Sequence, residues 1–175
     1  MSVTYTHTIT IDDVCAALIA YLQPIVGADA PIIRGQQNRD SMPTTGFIVV
    51  TELKTRVIST NKSSLDDTGY IRTFVNDTLS DWQIDYYGAN SGDWASIVAR
   101  LFASGDPYYQ GGTSATVHPV YAEDPSQTFL TNAEKQYEAR WTGRVTLQYN
   151  DSVSVTRDSA DTLGINVFEA VDLID

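Results

Sequence analysis

The alternation of apolar and polar residues is the clearest pattern in this chain, and it predicts β-strands. Within Leu79–Tyr87, the side chains of Trp82, Ile84 and Tyr86 fall on one face of an extended strand, with more polar neighbours between them. Glu134–Thr156 is the longest segment of this kind. Shorter strands are predicted at Ile32–Ile33, Phe47–Ser59, Tyr70–Val75, Val117–Tyr121, Thr128–Leu130 and Gly164–Leu173.

Two segments leave alternatives open. Asn150 and Asp151 interrupt the longest segment, which is therefore either one strand or a hairpin of two strands, 137–149 and 152–157. The polar segment Asn61–Gly69 fits either a turn-rich loop or the end of a strand. Pairing with neighbouring strands decides both alternatives, and periodicity within one segment does not reveal that pairing.

A first helix is predicted to begin directly after Thr10. Thr10 and Asp13 have the spacing of a capping box, and Asp12 and Asp13 lie where the positive end of the helix dipole favours carboxylates. Because proline disfavours a helical conformation at the residue before it, Pro24 predicts that this helix ends near residue 22. The predicted buried stripe consists of Val14, Ala17, Leu18, Tyr21 and Leu22.

A second helix follows the strand that ends before Gly88. Asn90 or Ser91 is its predicted N-cap, and Gly105 is placed for its C-terminal cap. The spacing of apolar residues predicts a buried stripe of Trp94, Ile97, Val98 and Leu101.

These elements together predict the fold class. We expect an α+β protein with a mainly antiparallel β-sheet and two principal α-helices packed on one face. The 175 residues show no linker and no internal repeat, and 42% of them are hydrophobic, so we expect one domain over residues 1–175.

The charge, the single cysteine and the lengths of the apolar runs limit the partners and the covalent links that we expect for this chain. The formal net charge is −11, and no segment contains a basic cluster, which argues against specific nucleic-acid binding. The chain has one cysteine, Cys15, so no intrachain disulfide is expected. No apolar run approaches the length that crosses a bilayer, and the first residues do not resemble a secretory signal, so no membrane association is expected.

Residues that could carry catalysis are isolated from one another. His7 and His118 lie in no recognisable motif, and Cys15 follows two aspartates that would disfavour a thiolate. The acidic pairs match no calcium or two-metal pattern, and Gly111-Gly112 lacks the lysine of a phosphate-binding loop. We therefore expect no catalytic residue, no metal and no cofactor.

Adjacent tyrosines are the first candidates for an interface. In a strand, successive side chains point to opposite faces, so one of Tyr86 and Tyr87 must leave the core. Tyrosine is enriched in protein interfaces, which makes Tyr87, Tyr108 and Tyr109 candidate contact residues. The alternative is a half-buried aromatic residue at the edge of a sheet.

Two arginines are the second group of candidates. Arg140 and Arg144 share a face of the long strand, opposite the face of Trp141 and Val145. Cations are scarce in this acidic chain, so each arginine should find an acidic partner. That partner lies either within the same fold or on a neighbouring copy, since contacts between identical subunits in a ring need two complementary patches.

Two stretches resemble the tail- or neck-terminator proteins of tailed bacteriophages. One is Gln83–Gly88 followed by Asp93–Phe102, and the other is Leu130–Arg140 followed by the strand Val145–Tyr149. The order of the flanking elements is also similar, so the resemblance extends over most of the chain.

This resemblance implies a structural virion protein without catalytic residues or a cofactor. It implies a homo-oligomeric ring, often hexameric, that caps the tail tube and meets the head-side connector, with DNA passing through the lumen without specific binding. It also implies assembly in the host bacterial cytoplasm. The alternatives are another virion ring protein, such as a head–tail connector or a tail tube subunit, and a small α+β enzyme or ligand-binding domain.

Overall fold

The computed structural model describes residues 5–36, 43, 45–66, 70–104, 117–131 and 137–156. The predicted strand Gly164–Leu173 and the predicted cap at Gly105 lie outside these residues. In chain order the described elements are β1 (Tyr5–His7), α1 (Ile11–Val26), β2 (Ile32–Arg34), β3 (Phe47–Val57), β4 (Lys62–Asp66), β5 (Ile71–Tyr87), α2 (Ser91–Ser104), β6 (Val117–Ala122), β7 (Ser126–Thr131) and β8 (Tyr137–Thr156).

Two long strands form the middle of one sheet. β5 and β8 pair antiparallel along the whole of β5, from Ile71 opposite Thr156 to Tyr87 opposite Arg140. Shorter strands lie end to end on both sides of this pair: β3 and β4 along β5, and β7, β6 and β1 along β8. Only β2 pairs in parallel, with β3, so the described sheet is mainly antiparallel as predicted.

Both helices pack on one face of this sheet and share one core with it. Trp82, Ile84 and Tyr86 of β5 are almost fully buried there, which confirms the face that the alternation predicted. Burial of each large apolar side chain stabilises the fold by about 1.5–3 kcal/mol. The same cluster includes Val14, Leu18 and Leu22 of α1, Ala95, Val98 and Phe102 of α2, Ile48 and Val50 of β3, and Val145, Leu147 and Tyr149 of β8. The predicted α+β class is therefore confirmed.

The start of α1 is as predicted, but its end is not. Thr10 is the N-cap, and its hydroxyl accepts a hydrogen bond from the Asp13 N–H at 3.2 Å while the Asp13 carboxylate accepts from the Thr10 N–H at 2.8 Å. The predicted end near residue 22 is wrong, since α1 includes Pro24 and ends at Val26. Pro24 falls in the last turn, and Gly27 closes the helix with a positive φ of 87° and an N–H bond to the Gln23 carbonyl.

The packing of α2 differs from the predicted stripe. Ser91, Ala95, Val98 and Phe102 are buried, whereas Ile97 is 43% exposed. Phe102 enters the core because its ring packs edge-on against Tyr21 of α1, with ring centroids 5.1 Å apart. The Asn90 carbonyl accepts the first helical bond from the Trp94 N–H at 3.1 Å, which makes Asn90 the N-cap of the two predicted candidates.

The two open strand alternatives are decided by pairing. β8 is continuous through Asn150 and Asp151, which pair with Asp77 and Asn76 of β5, so the hairpin alternative is wrong. The polar segment 62–66 is a strand, because Lys62–Asp66 pairs with the first part of β5. In both places, pairing with β5 holds the backbone extended, although the local residues favour turns.

Candidate functional site: the open face of the sheet

The face of the sheet that points away from the helices carries most of the polar side chains of its central strands. We call this surface the open face. Strand register places the odd-numbered residues of β5 on it, opposite the even-numbered residues of β8. Its central members are Phe47 and Val49 of β3, Asp81, Gln83, Asp85 and Tyr87 of β5, and Arg140, Thr142, Arg144 and Thr146 of β8.

Asp85 is the centre of a hydrogen-bond network on the open face. Its carboxylate accepts a bond from the Thr142 hydroxyl at 2.7 Å and one from the Gln83 side-chain amide at 2.8 Å. The Arg140 guanidinium lies 3.1 Å from the same carboxylate. Asp85 is buried, and these donors replace the water that a buried carboxylate loses.

Tyr87 is held beside this network by two neighbours. Its ring stacks on Phe47, with centroids 4.5 Å apart and planes 9° from parallel, and Arg140 lies over the ring at 5.6 Å. Burial and the nearby Asp85 raise the pKa of the Tyr87 phenol, so the hydroxyl is neutral at physiological pH. Tyr87 is only 8% exposed, although it lies on the face opposite the core. The alternation therefore correctly predicted that Tyr87 lies on the face opposite the helices.

A second carboxylate, Asp81, has a similar arrangement four residues before Asp85 on the same strand. It accepts a bond from the Thr146 hydroxyl at 2.7 Å, and the Arg56 guanidinium of β3 lies 3.3 Å from it. Each of the two aspartates therefore accepts a hydrogen bond from a threonine of β8 and lies beside an arginine. These contacts connect side chains from three adjacent strands on one face of the sheet.

Arg144 also lies on the open face, opposite Gln83 of β5. Its guanidinium is 3.3 Å from the Glu123 carboxylate, and both side chains are about half exposed. Such an exposed pair is worth only about 0–1 kcal/mol. A shallow polar cleft adjoins the pair, lined by Gln83, Glu123, Asp124, Ser126, Thr142, Gly143 and Arg144.

The structure brings together three of the five predicted interface residues. Tyr87, Arg140 and Arg144 all lie on the open face, whereas Tyr108 and Tyr109 lie outside the described residues. Arg140 and Arg144 both have an acidic neighbour within the same chain. Their role in contacts between subunits stays a prediction.

Sequence reasoning missed Asp81 and Asp85. Alternation alone assigned Asp85 to the face opposite Trp82, but nothing in the sequence indicated that Thr142 and Arg140 would lie beside it. Register supplies that information, since Asp85 and Thr142 are 57 positions apart in the chain.

The described residues show no grouping typical of an active site. They contain no cluster of three or more potential metal ligands. His7 forms a pair with Asp151 at 2.9 Å near the end of the sheet, and burial raises the pKa of the Cys15 thiol within α1. No helix among the described residues has the length and apolar character needed to span a membrane.

Fold and surface together define an α+β domain with one packed face and one polar, internally bonded face. The sequence model of the phage neck terminator proteins matches residues 12–172, nearly the whole chain. The chain belongs to this family, and it is a structural protein of the phage virion that terminates the tail.

The chain was also compared with solved structures and with curated proteins. Among solved structures, the chain is similar to one described as the sheath/tube terminator of an extracellular contractile injection system, PVC, in the extended state. The two share 12% identical residues with a TM-score of 0.49, over 95% of this chain and 66% of that chain. This chain thus spans about two thirds of that protein's length. No curated protein matches the chain.

Proposed function

We propose that this protein forms a closed ring at the neck of the virion, ends the growing tail tube and joins it to the head-side connector. The match to the neck terminator family over residues 12–172 is the observation that carries the proposal. We propose six subunits, the size that the resemblance to tail terminators implies, in a closed cyclic ring.

The architecture suits a docking subunit. A ring must keep its shape while it holds a tube on one side and a connector on the other. The core under the helices and the Asp81 and Asp85 networks on the open face fix the sheet from both sides. Such a sheet transmits force with little deformation, because packed interiors have low compressibility.

The proposed role requires neither catalysis nor a cofactor. Binding surfaces and symmetry perform it, and we propose that the protein is not an enzyme. The net charge of −11 favours a channel through which DNA moves without specific contacts. The protein would assemble in the host cytoplasm and remain in the neck of the finished particle.

The native mass of the purified protein over a range of concentrations tests the proposal. A discrete closed oligomer, with a hexamer as the expected size, supports a terminating ring. Open-ended polymers would contradict a terminator and indicate a tube subunit, since tube rings stack repeatedly. If the protein is a monomer at every concentration, its binding to tail tubes of the same phage is measured next. Absence of the protein from those tubes would refute the proposal.

A further inference from the structure

The two side edges of the sheet differ in the charges they carry. On one side, β3 and β4 form an outer edge that pairs with no other strand among the described residues beyond the three positions covered by β2. We call residues 53–62 on this side the basic edge, since it carries Lys54, Arg56 and Lys62 and no carboxylate, with Glu52 and Asp66 flanking it. On the other side, β6 and the turn after it form the acidic edge, residues 117–124, which carries Glu123 and Asp124.

Arg56 and Glu123 already have partners, Asp81 and Arg144, but the other three charges have none among the described residues. Lys54, Lys62 and Asp124 are exposed, and none forms an ion pair with any residue that the structure describes. Lysines are uncommon in this acidic chain, so two exposed lysines without a described ion-pair partner on one edge are a distinctive surface feature. Opposite charges on the two edges are the complementarity that head-to-tail contacts between identical subunits require.

Exposed apolar side chains accompany the charges on both edges. Val57 and Tyr121 are more than half exposed, at 57% and 58%. Leu53 and Ile58 extend the apolar surface of the basic edge, with Leu65 just beyond it, and Val120 extends that of the acidic edge. Each edge therefore combines apolar contact area with charge, which is the composition of a subunit contact and not of an ordinary solvated edge.

Strand register places the two edges at the same level of the sheet. Lys54 pairs with Asp81, Asp81 pairs with Thr146, and Thr146 pairs with Tyr121, so Lys54 and Tyr121 lie in one row across the molecule. The Glu123 N–H bonds to the Arg144 carbonyl, two residues from that row, a separation of about 7 Å along a strand. We take the ring axis as parallel to these strands, and rotation about such an axis keeps rows level. It would then bring Lys54 of one copy beside Tyr121 and Glu123 of the next.

The direction of the strands also suits this contact. β3 and β8 both run antiparallel to β5, and β6 runs antiparallel to β8. In a rotated copy, β6 would therefore run antiparallel to the β3 of its neighbour, the more stable of the two pairings. Pro119 and the irregular register between Pro119 and Tyr121 interrupt the backbone donors of β6, so side chains would carry most of the contact.

From these observations we infer that the basic edge of one subunit packs against the acidic edge of the next copy in the ring. This inference rests on the proposed ring and assigns its lateral interface to two surfaces of this chain. The contact is heterologous, so repetition by rotation closes a ring and leaves neither edge free. Closure would also cover two sheet edges that no described strand pairs with, and unpaired edges favour aggregation.

Charge reversal tests the inference with a control for net charge. Lys54→Glu and Asp124→Lys each place like charges at the contact, and each should raise the concentration for half-maximal ring formation by roughly tenfold. The combined variant restores opposite charges and the wild-type net charge, and its ring formation should return close to the wild-type level. Arg100→Glu, on the exposed side of α2, changes the charge as Lys54→Glu does and should have little effect.

The ring concentrations are measured by native mass, with and without tail tubes, and thermal unfolding verifies that each variant is folded. If the wild type forms rings and Lys54→Glu matches Arg100→Glu, the lateral contact is elsewhere and the inference is overturned, while the proposed ring stands. If both single variants lose rings but the combined variant does not recover them, the pairing of the two edges is refuted. If the wild type forms no ring even on tubes, the proposed ring and this inference both fail.

Discussion

The two faces of the sheet are built from the same strands but held by different forces. On the helix side, Trp82, Ile84 and Tyr86 of β5 pack into a continuous apolar core. On the open face, the alternating residues of the same strand include Asp81 and Asp85, which bond to threonines of β8 and lie beside arginines. One strand therefore contributes to stability through apolar burial on one side and through satisfied polar contacts on the other.

This difference indicates a division of roles. Apolar burial supplies most of the folding free energy, because the net contribution of a typical hydrogen bond is only about 0.5–1.5 kcal/mol. A buried carboxylate network adds little net stability but is costly to break, so it holds side chains in one arrangement. The helix side supplies most of the stability of the fold, and the polar contacts hold the side chains of the open face in one arrangement.

The largest effect is expected from a change under the helices. Ile84→Ala removes fully buried methyl groups and should lower the free energy of unfolding by about 2–5 kcal/mol. Gln83→Ala, the next residue on the opposite face, loses one bond to Asp85 and should cost only about 0.5–1.5 kcal/mol. Chemical denaturation of both variants measures the difference, and equal losses would contradict the division between the two faces.

A smaller effect is expected from breaking the polar network itself. Asp85→Ala leaves the Arg140 and Thr142 donors without their acceptor and should lower the free energy of unfolding by about 1–3 kcal/mol. Asp124→Ala serves as the control, since its exposed carboxylate bonds to no described residue. If denaturation midpoints of the two variants coincide, the Asp85 network does not stabilise the open face.

The cap of α1 should contribute less, and its contribution should depend on pH. Thr10→Ala removes the side-chain half of the capping box, at a cost of about 0.5–2 kcal/mol at neutral pH. Hydrogen bonds from the Thr10 side chain and backbone lower the pKa of Asp13. The folded state therefore gains stability from the ionised carboxylate above its unfolded pKa, and this gain is lost as pH falls through the lowered folded value.

Urea unfolding of wild type and Thr10→Ala at neutral and acidic pH checks this prediction. The difference between the two proteins should be full at neutral pH and should shrink in acid. A difference that stays constant, or grows as pH falls, would mean that Asp13 does not act through the cap.

The smallest effect is expected from the exposed ion pair between Arg144 and Glu123 on the open face. Arg144→Ala removes an exposed pair with Glu123 and should change the free energy of unfolding by no more than about 1 kcal/mol. Arg140→Ala should cost more, since Arg140 contacts both the buried Asp85 carboxylate and the Tyr87 ring. Thermal unfolding of the two variants compares them directly, and a greater loss for Arg144→Ala would reverse our assignment of the network.

The sequence predicted features that depend on local signals. The start of α1 followed from Thr10 and Asp13, and the buried face of β5 followed from strict alternation. The fold class followed from the order of the elements. These features need no knowledge of distant segments, because capping and face alternation are properties of one short stretch of chain.

The predictions that failed depended on contacts between elements. Ile97 was predicted to be buried, but a different side of α2 faces the core. Asn150 and Asp151 favour turns, yet β5 holds them in a strand. The Asp85 network needed the register between β5 and β8, which no local pattern encodes.

Electron microscopy of tail tubes mixed with the purified protein tests the central claim most directly. The account predicts a single ring at one end of each tube, and tubes bearing it should no longer lengthen when free tube subunits are added. Rings stacked along the tube, or capped tubes that continue to grow, would contradict the assignment of this protein as a terminator.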